Sequence, residues 1–133
     1  FKDLLKNNKI LNDNISIKLK IAFIMGILGH FIIIISQNTV YKYKDYNISN
    51  NNTYTKQGIF SVVRHPNVTG TILAGFGSAL YKESRMGIII MVIVTLLLIY
   101  NALKSEKNAI KDGDNELESY KKDTKYIVVP GIL

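Results

Sequence analysis

Three side chains in this sequence have the right types to act together: Arg64, His65 and Glu106. The first two lie in the stretch GIFSVVRHPNVTG, residues 58–70, between an Asn-rich polar segment and an apolar run. Glu106 follows a second apolar run further on. A guanidinium can bind a carboxylate through paired hydrogen bonds. An imidazole can carry or accept a proton near neutral pH, and a carboxylate can hold a cation or act as a base. The plain alternative is that Arg64 and His65 are interfacial anchors, since basic residues commonly flank membrane spans and snorkel to the polar edge. Pro66 argues for more than anchoring. A proline in the first turn fixes where a helix begins, and so fixes where Arg64 and His65 point.

The elements that must position these residues are apolar and long. The chain has 133 residues, no cysteine and a net charge of +7, with 47% hydrophobic residues. Charge and apolarity are segregated: the charged residues lie in 1–20, 41–64, 82–85 and 104–125. A nucleic-acid binder would spread its cations along an amphipathic face, so the pattern implies a membrane protein with basic loops and no nucleic-acid partner. IAFIMGILGHFIIIIS (21–36) reads as a first span, VTGTILAGFGSALY (68–81) as a shorter second and MGIIIMVIVTLLLIYNAL (86–103) as a third. Gly70, Ala74, Gly77 and Ser78 share one face of the second, where small residues allow close helix approach. The charged turn Lys82-Glu83-Ser84-Arg85 predicts a tight helical hairpin, which would return Glu106 to the side of Arg64 and His65.

The expected architecture is an all-α integral membrane domain over residues 1–133. It comprises three transmembrane helices, a polar loop over 39–64 that contains the flexible NISNNNTYT, and an interfacial C-terminal tail over 104–133. Of the 17 Lys and Arg residues, this topology places seven with the N-terminal segment and the 82–85 turn. The other ten fall with the 39–64 loop and the tail, which the positive-inside rule then makes cytoplasmic. His30, inside the first span, reads as a proton relay, a ligand or, more plainly, a hydrogen bond to a neighbouring helix. Two histidines without cysteine are too few for a metal site. Neither a phosphate-binding glycine loop nor a Ser-His-Asp pattern is present.

GIFSVVRHPNVTGTILAGFGSAL, the hairpin span, the Glu just past it and a Tyr-containing charged tail ending near a Pro resemble the isoprenylcysteine carboxyl methyltransferase family. Its members are integral membrane enzymes that use S-adenosylmethionine to methylate the prenylated C-terminal cysteine of processed CaaX proteins. The wider group includes phospholipid N-methyltransferases. The resemblance covers residues 20–130 and corresponds to the family's C-terminal catalytic half, which implies further helices upstream of Phe1.

Carried over by position, the resemblance implies catalytic roles for Arg64 and Glu106. It implies cofactor contacts from Phe60, the intact core His65 and Pro66, and the two following positions, Asn67 and Val68. The strip Asn52, Thr53, Tyr54 and Thr55 would also touch the cofactor, as would Glu106 and, further upstream, Asp45. Ala102 stands where the family places an Arg that binds the substrate carboxylate, and Lys107 replaces the second Glu of a Glu-Glu pair. The implied partners are a prenylated protein C-terminus or a lipid substrate, in the endoplasmic reticulum membrane with the site facing the cytosol. A carboxylate acceptor is already ionised and needs no base. A lipid amine is protonated near neutral pH and needs one, with Glu106 or His65 as the candidate. The non-enzymatic alternative is an inactive membrane scaffold of the same fold.

Overall fold

The computed structural model describes residues 2–49, 55–111 and 115–131; within the first segment, side chains are described at 13 and 17–44. Among these residues four α-helices follow one another: α1 (Lys2–Ser49), α2 (Pro66–Tyr81), α3 (Arg85–Lys111) and α4 (Asn115–Asp123). A 3-10 turn, Gly58–Ser61, precedes α2. A single isolated parallel bridge, Val63 with Tyr126, is the strand-like pairing among the described residues.

α1 is longer than the expected first span, with 48 residues and a length of about 70 Å. Residues 31–49 contain neither Gly nor Pro, so nothing in the backbone stops the helix where the side chains turn polar. The first part of the expected 39–64 loop is therefore helix. Among the described residues, two helices are long and apolar enough to cross a membrane, over Ile17–Lys44 and Arg85–Lys111. α2, expected as the short second span, has 16 residues. That is about 24 Å, short of the ~30 Å hydrocarbon core. The outer faces of α1 and α3 present Phe23, Phe31, Met86 and Leu96 at 60% exposure or more. Such faces suit lipid rather than water.

α2 lies against α1 through its small residues. A Cβ on Gly29 would meet the backbone of Ala74, and would lie 2.6 Å from the Gly70 carbonyl oxygen; one on Gly77 would lie 2.6 Å from the Gly26 nitrogen. Ala22, Gly70, Ala74 and Gly77 are all buried. Ser78, placed on the same face by its spacing, is exposed and returns its hydroxyl to the Ala74 carbonyl.

The α2–α3 turn has a readable cause. Ser84 N donates to Ala79 O (3.0 Å) and Glu83 N to Leu80 O (3.1 Å), the paired bonds of a Schellman motif. Its left-handed position falls on Glu83, at φ 51°, where glycine is usual. Ser84 then caps α3, its Oγ accepting from Gly87 N at 2.9 Å.

The tail departs from the expected interfacial strip. α4 buries Leu117 and Tyr120, and Val128 beyond it is 1% exposed. This segment packs back onto the chain just before α2.

Candidate active site

The site is built where the N-terminus of α2, the polar end of α3 and the tail converge. Residues 63–65 run alongside 126–127: Arg64 N donates to Tyr126 O and His65 N to Ile127 O, both at 2.9 Å. Pro66 follows as the first residue of α2 and is among the most completely buried side chains. Thr69, one turn into α2, donates its hydroxyl to Val128 O at 2.6 Å. These bonds fix the direction in which Arg64 and His65 leave the backbone.

Arg64 is consumed by the protein. Its Nε donates to Glu106 Oε1 at 2.8 Å and its Nη2 to Oε2 at 3.3 Å. Its Nη1 donates to the carbonyls of Thr124 (2.6 Å) and Lys125 (2.9 Å). The guanidinium and the Glu106 carboxylate are each 5% exposed. Burial of this ion pair is tolerable because the fork is bidentate and four of the five guanidinium N–H groups have acceptors.

Glu106 is as fully engaged. Oε1 also accepts from His65 Nε2 at 2.9 Å, and Oε2 faces Lys121 Nζ at 3.4 Å. Two donors per oxygen use the four acceptor positions a carboxylate offers. His65 and Lys121 are the open members of the group, with 29% and 34% of their side chains exposed.

Tyr120 lines a small cavity with Arg64, His65 and Glu106 and donates its hydroxyl to Phe60 O at 2.7 Å. Burial pushes its hydroxyl up to about 12, so it stays a neutral donor at any physiological pH. Thr124 Oγ1 reaches the same carbonyl at 3.4 Å. The 3-10 turn is thereby tied to α4. It opens on Gly58 at φ 58°, a conformation that would strain an L side chain by about 1–2 kcal/mol.

The structure thus brings together Arg64, His65, Pro66, Phe60 and Glu106. Asn67 is exposed, with its carbonyl accepting from Thr71, and Val68 is half-buried on the first turn of α2. Ala102 is buried one turn before Glu106 on α3. Thr55 is half-buried. Asn52, Thr53 and Tyr54 lie outside the described residues, as does the side chain of Asp45, whose backbone belongs to α1. His30 bonds its own helix rather than a neighbouring one, with Nδ1 donating to Gly26 O at 2.8 Å.

Sequence reasoning missed Lys121 and the carbonyls of residues 124–127. The signal was present in YIVV (126–129), a run of β-formers that favours an extended, paired segment over a surface helix.

Arg64, His65, Ser105, Glu106, Leu117 and Tyr120 line a cavity of about 60 Å³. That is room for water rather than for a nucleoside. Of the group's members, the His65 imidazole and the Lys121 ammonium are part-exposed and can still meet a ligand.

A family model described as phospholipid methyltransferase matches residues 18–112, a range that takes in all of α2 and α3. No curated protein and no solved structure matches the chain.

Proposed function

Because this chain belongs to the phospholipid methyltransferase family, we propose that it is an S-adenosylmethionine-dependent membrane methyltransferase whose acceptor is the amine of a phospholipid. The observation that carries the amine reading is the state of Arg64. A carboxylate acceptor calls for a cationic fork, and this one is spent on Glu106 and on the Thr124 and Lys125 carbonyls. Ala102 supplies no replacement. In this reading Arg64 is a positioning residue that holds Glu106 and the tail in place.

When bound, the cofactor supplies an electrophilic methyl group on a sulfonium. Lys121 would meet its carboxylate end, while Glu106, already engaged by Arg64, His65 and Lys121, holds the cluster in place. The strip 52–55, Phe60 and the first turn of α2 at Asn67 and Val68 would flank the rest, with Asp45 near by. The chain's task is to align acceptor and methyl and to keep water out. The proposed domain spans the membrane three times, with α2 as the short second span paired to α3 as a hairpin. α2 leaves the site near the polar edge, where a lipid head group sits. The 39–64 segment and the tail face the cytosol, and in a eukaryotic cell the membrane would be the endoplasmic reticulum.

A second reading, O-methylation of a prenylated C-terminal cysteine, is favoured by the intact Arg64-His65-Pro66 stretch. It would recruit Lys121, whose side chain is 34% exposed beside Glu106, as the carboxylate partner. Transfer of labelled methyl groups by the membrane-reconstituted protein, run with phosphatidylethanolamine beside a farnesylcysteine analogue, separates the two. The amine reading expects label in the lipid. Label in the analogue alone would replace it with the second reading, and transfer to neither acceptor would favour an inactive scaffold.

A further inference from the structure

Resting on the amine reading, we propose that His65, and not Glu106, removes the proton from the acceptor ammonium, with Glu106 acting through it as an orienting group. The Glu106 oxygens are 5% exposed and already face Arg64, His65 and Lys121. A lipid ammonium would have to displace one of these donors to reach them. His65 has no such obstacle.

The tautomer follows from the partner. A carboxylate can only accept, so the 2.9 Å contact between Nε2 and Glu106 Oε1 places the imidazole proton on Nε2. Nδ1 is then left with its lone pair. The ring sits 29% exposed at the first turn of α2, its backbone pinned by the Ile127 carbonyl. A base held by a carboxylate on its far nitrogen, with its near nitrogen open, is the arrangement that orients imidazoles for proton transfer.

In the step itself an ammonium N–H bond breaks, its electron pair stays on nitrogen, and the proton passes to His65 Nδ1. The imidazolium that forms is stabilised by Glu106 and opposed by Arg64 and by Lys121 from α4; Tyr120, neutral, completes the surround. The freed amine nitrogen then bonds the transferred methyl carbon as the carbon–sulfur bond breaks, with that pair leaving on sulfur. His65 returns its proton to water.

The chain contains two histidines, His30 and His65, so nitrogen NMR of histidine-labelled protein resolves both, with a His30→Gln variant assigning them. The expected result for His65 is a protonated Nε2 and a bare Nδ1, a preference that Glu106→Gln relaxes. A protonated Nδ1 in the neutral ring would overturn the proposal. In transfer assays to phosphatidylethanolamine, His65→Ala should lose about 10²- to 10⁴-fold in rate. Cofactor binding by calorimetry should change far less, and added imidazole should restore turnover. A rate loss matched by lost cofactor binding, with no imidazole rescue, would make His65 a cofactor ligand and sink the base assignment alone. Failure of the unsubstituted protein to methylate any amine would instead sink the reading beneath it.

Discussion

Along its length α2 meets α1 through bare backbone, with Gly70 and Gly77 set against Gly29 and Gly26. At its first turn the same helix is tied down by charge, through Arg64, Glu106 and the tail carbonyls. The first contact works by lacking atoms: close approach gains dispersion and backbone contact that lipid chains cannot match. The second works by saturation, because a buried ion pair holds only when nearly every donor and acceptor is met. A seam of the first kind is degraded by adding a methyl group, a knot of the second kind by removing one partner.

The largest expected effect comes from cutting the knot. Arg64→Leu leaves Glu106 buried beside His65 and Lys121 without its bidentate partner, and orphans two tail carbonyls. It should destabilise the protein by about 3–5 kcal/mol, read as lost thermal stability in detergent together with proteolytic release of the tail. A near-native melting curve would show the cluster to be a solvated surface pair.

The seam should respond more mildly and with a sharp asymmetry. Gly77→Ala drives a Cβ into the α1 backbone and should cost about 1–3 kcal/mol. Gly26→Ala, on the opposite side of the same contact, has nothing within 4 Å of its new Cβ and should be near neutral. Equal effects of the two on the melting temperature would contradict this packing of α1 on α2.

Smallest is the tether beneath the site. Tyr120→Phe removes the bond to Phe60 O and should cost about 0.5–1.5 kcal/mol. Its pH dependence has a definite sign. The hydroxyl rises from 10.0 to about 12 on folding, so the unfolded chain loses its proton first. The contribution is whole below pH 10 and drains away as pH climbs towards 12. The unsubstituted protein should therefore lose stability faster than Tyr120→Phe across that window.

What could be read from the sequence followed from hydrophobic runs and backbone signals. Long apolar stretches marked α1 and α3, the small-residue spacing marked the α2 face, and the Lys82–Arg85 turn implied that Glu106 returns to Arg64. Polarity misled at two places. It predicts an end to the first helix near residue 39, although nothing in the backbone ends it there. The tail's mixed charge suggested a surface strip, although Leu117, Tyr120 and Val128 are buried. The carbonyls that hold Arg64 were illegible for a simpler reason. Every residue carries a carbonyl, so only the fold reveals which ones converge on a guanidinium.

Pairing of residues 63–65 with 126–127 also imposes an order on biogenesis. Arg64 and the Thr124 carbonyl it grips are 60 residues apart, and at about 5–20 residues per second the interval between their syntheses is roughly 3–12 s. Within that interval α3, long and apolar enough to cross a membrane, is made while Arg64 still lacks its tail acceptors. A nascent chain stalled after α3 would hold its apolar helices but not the closed Arg64 cluster, so the cluster is completed last.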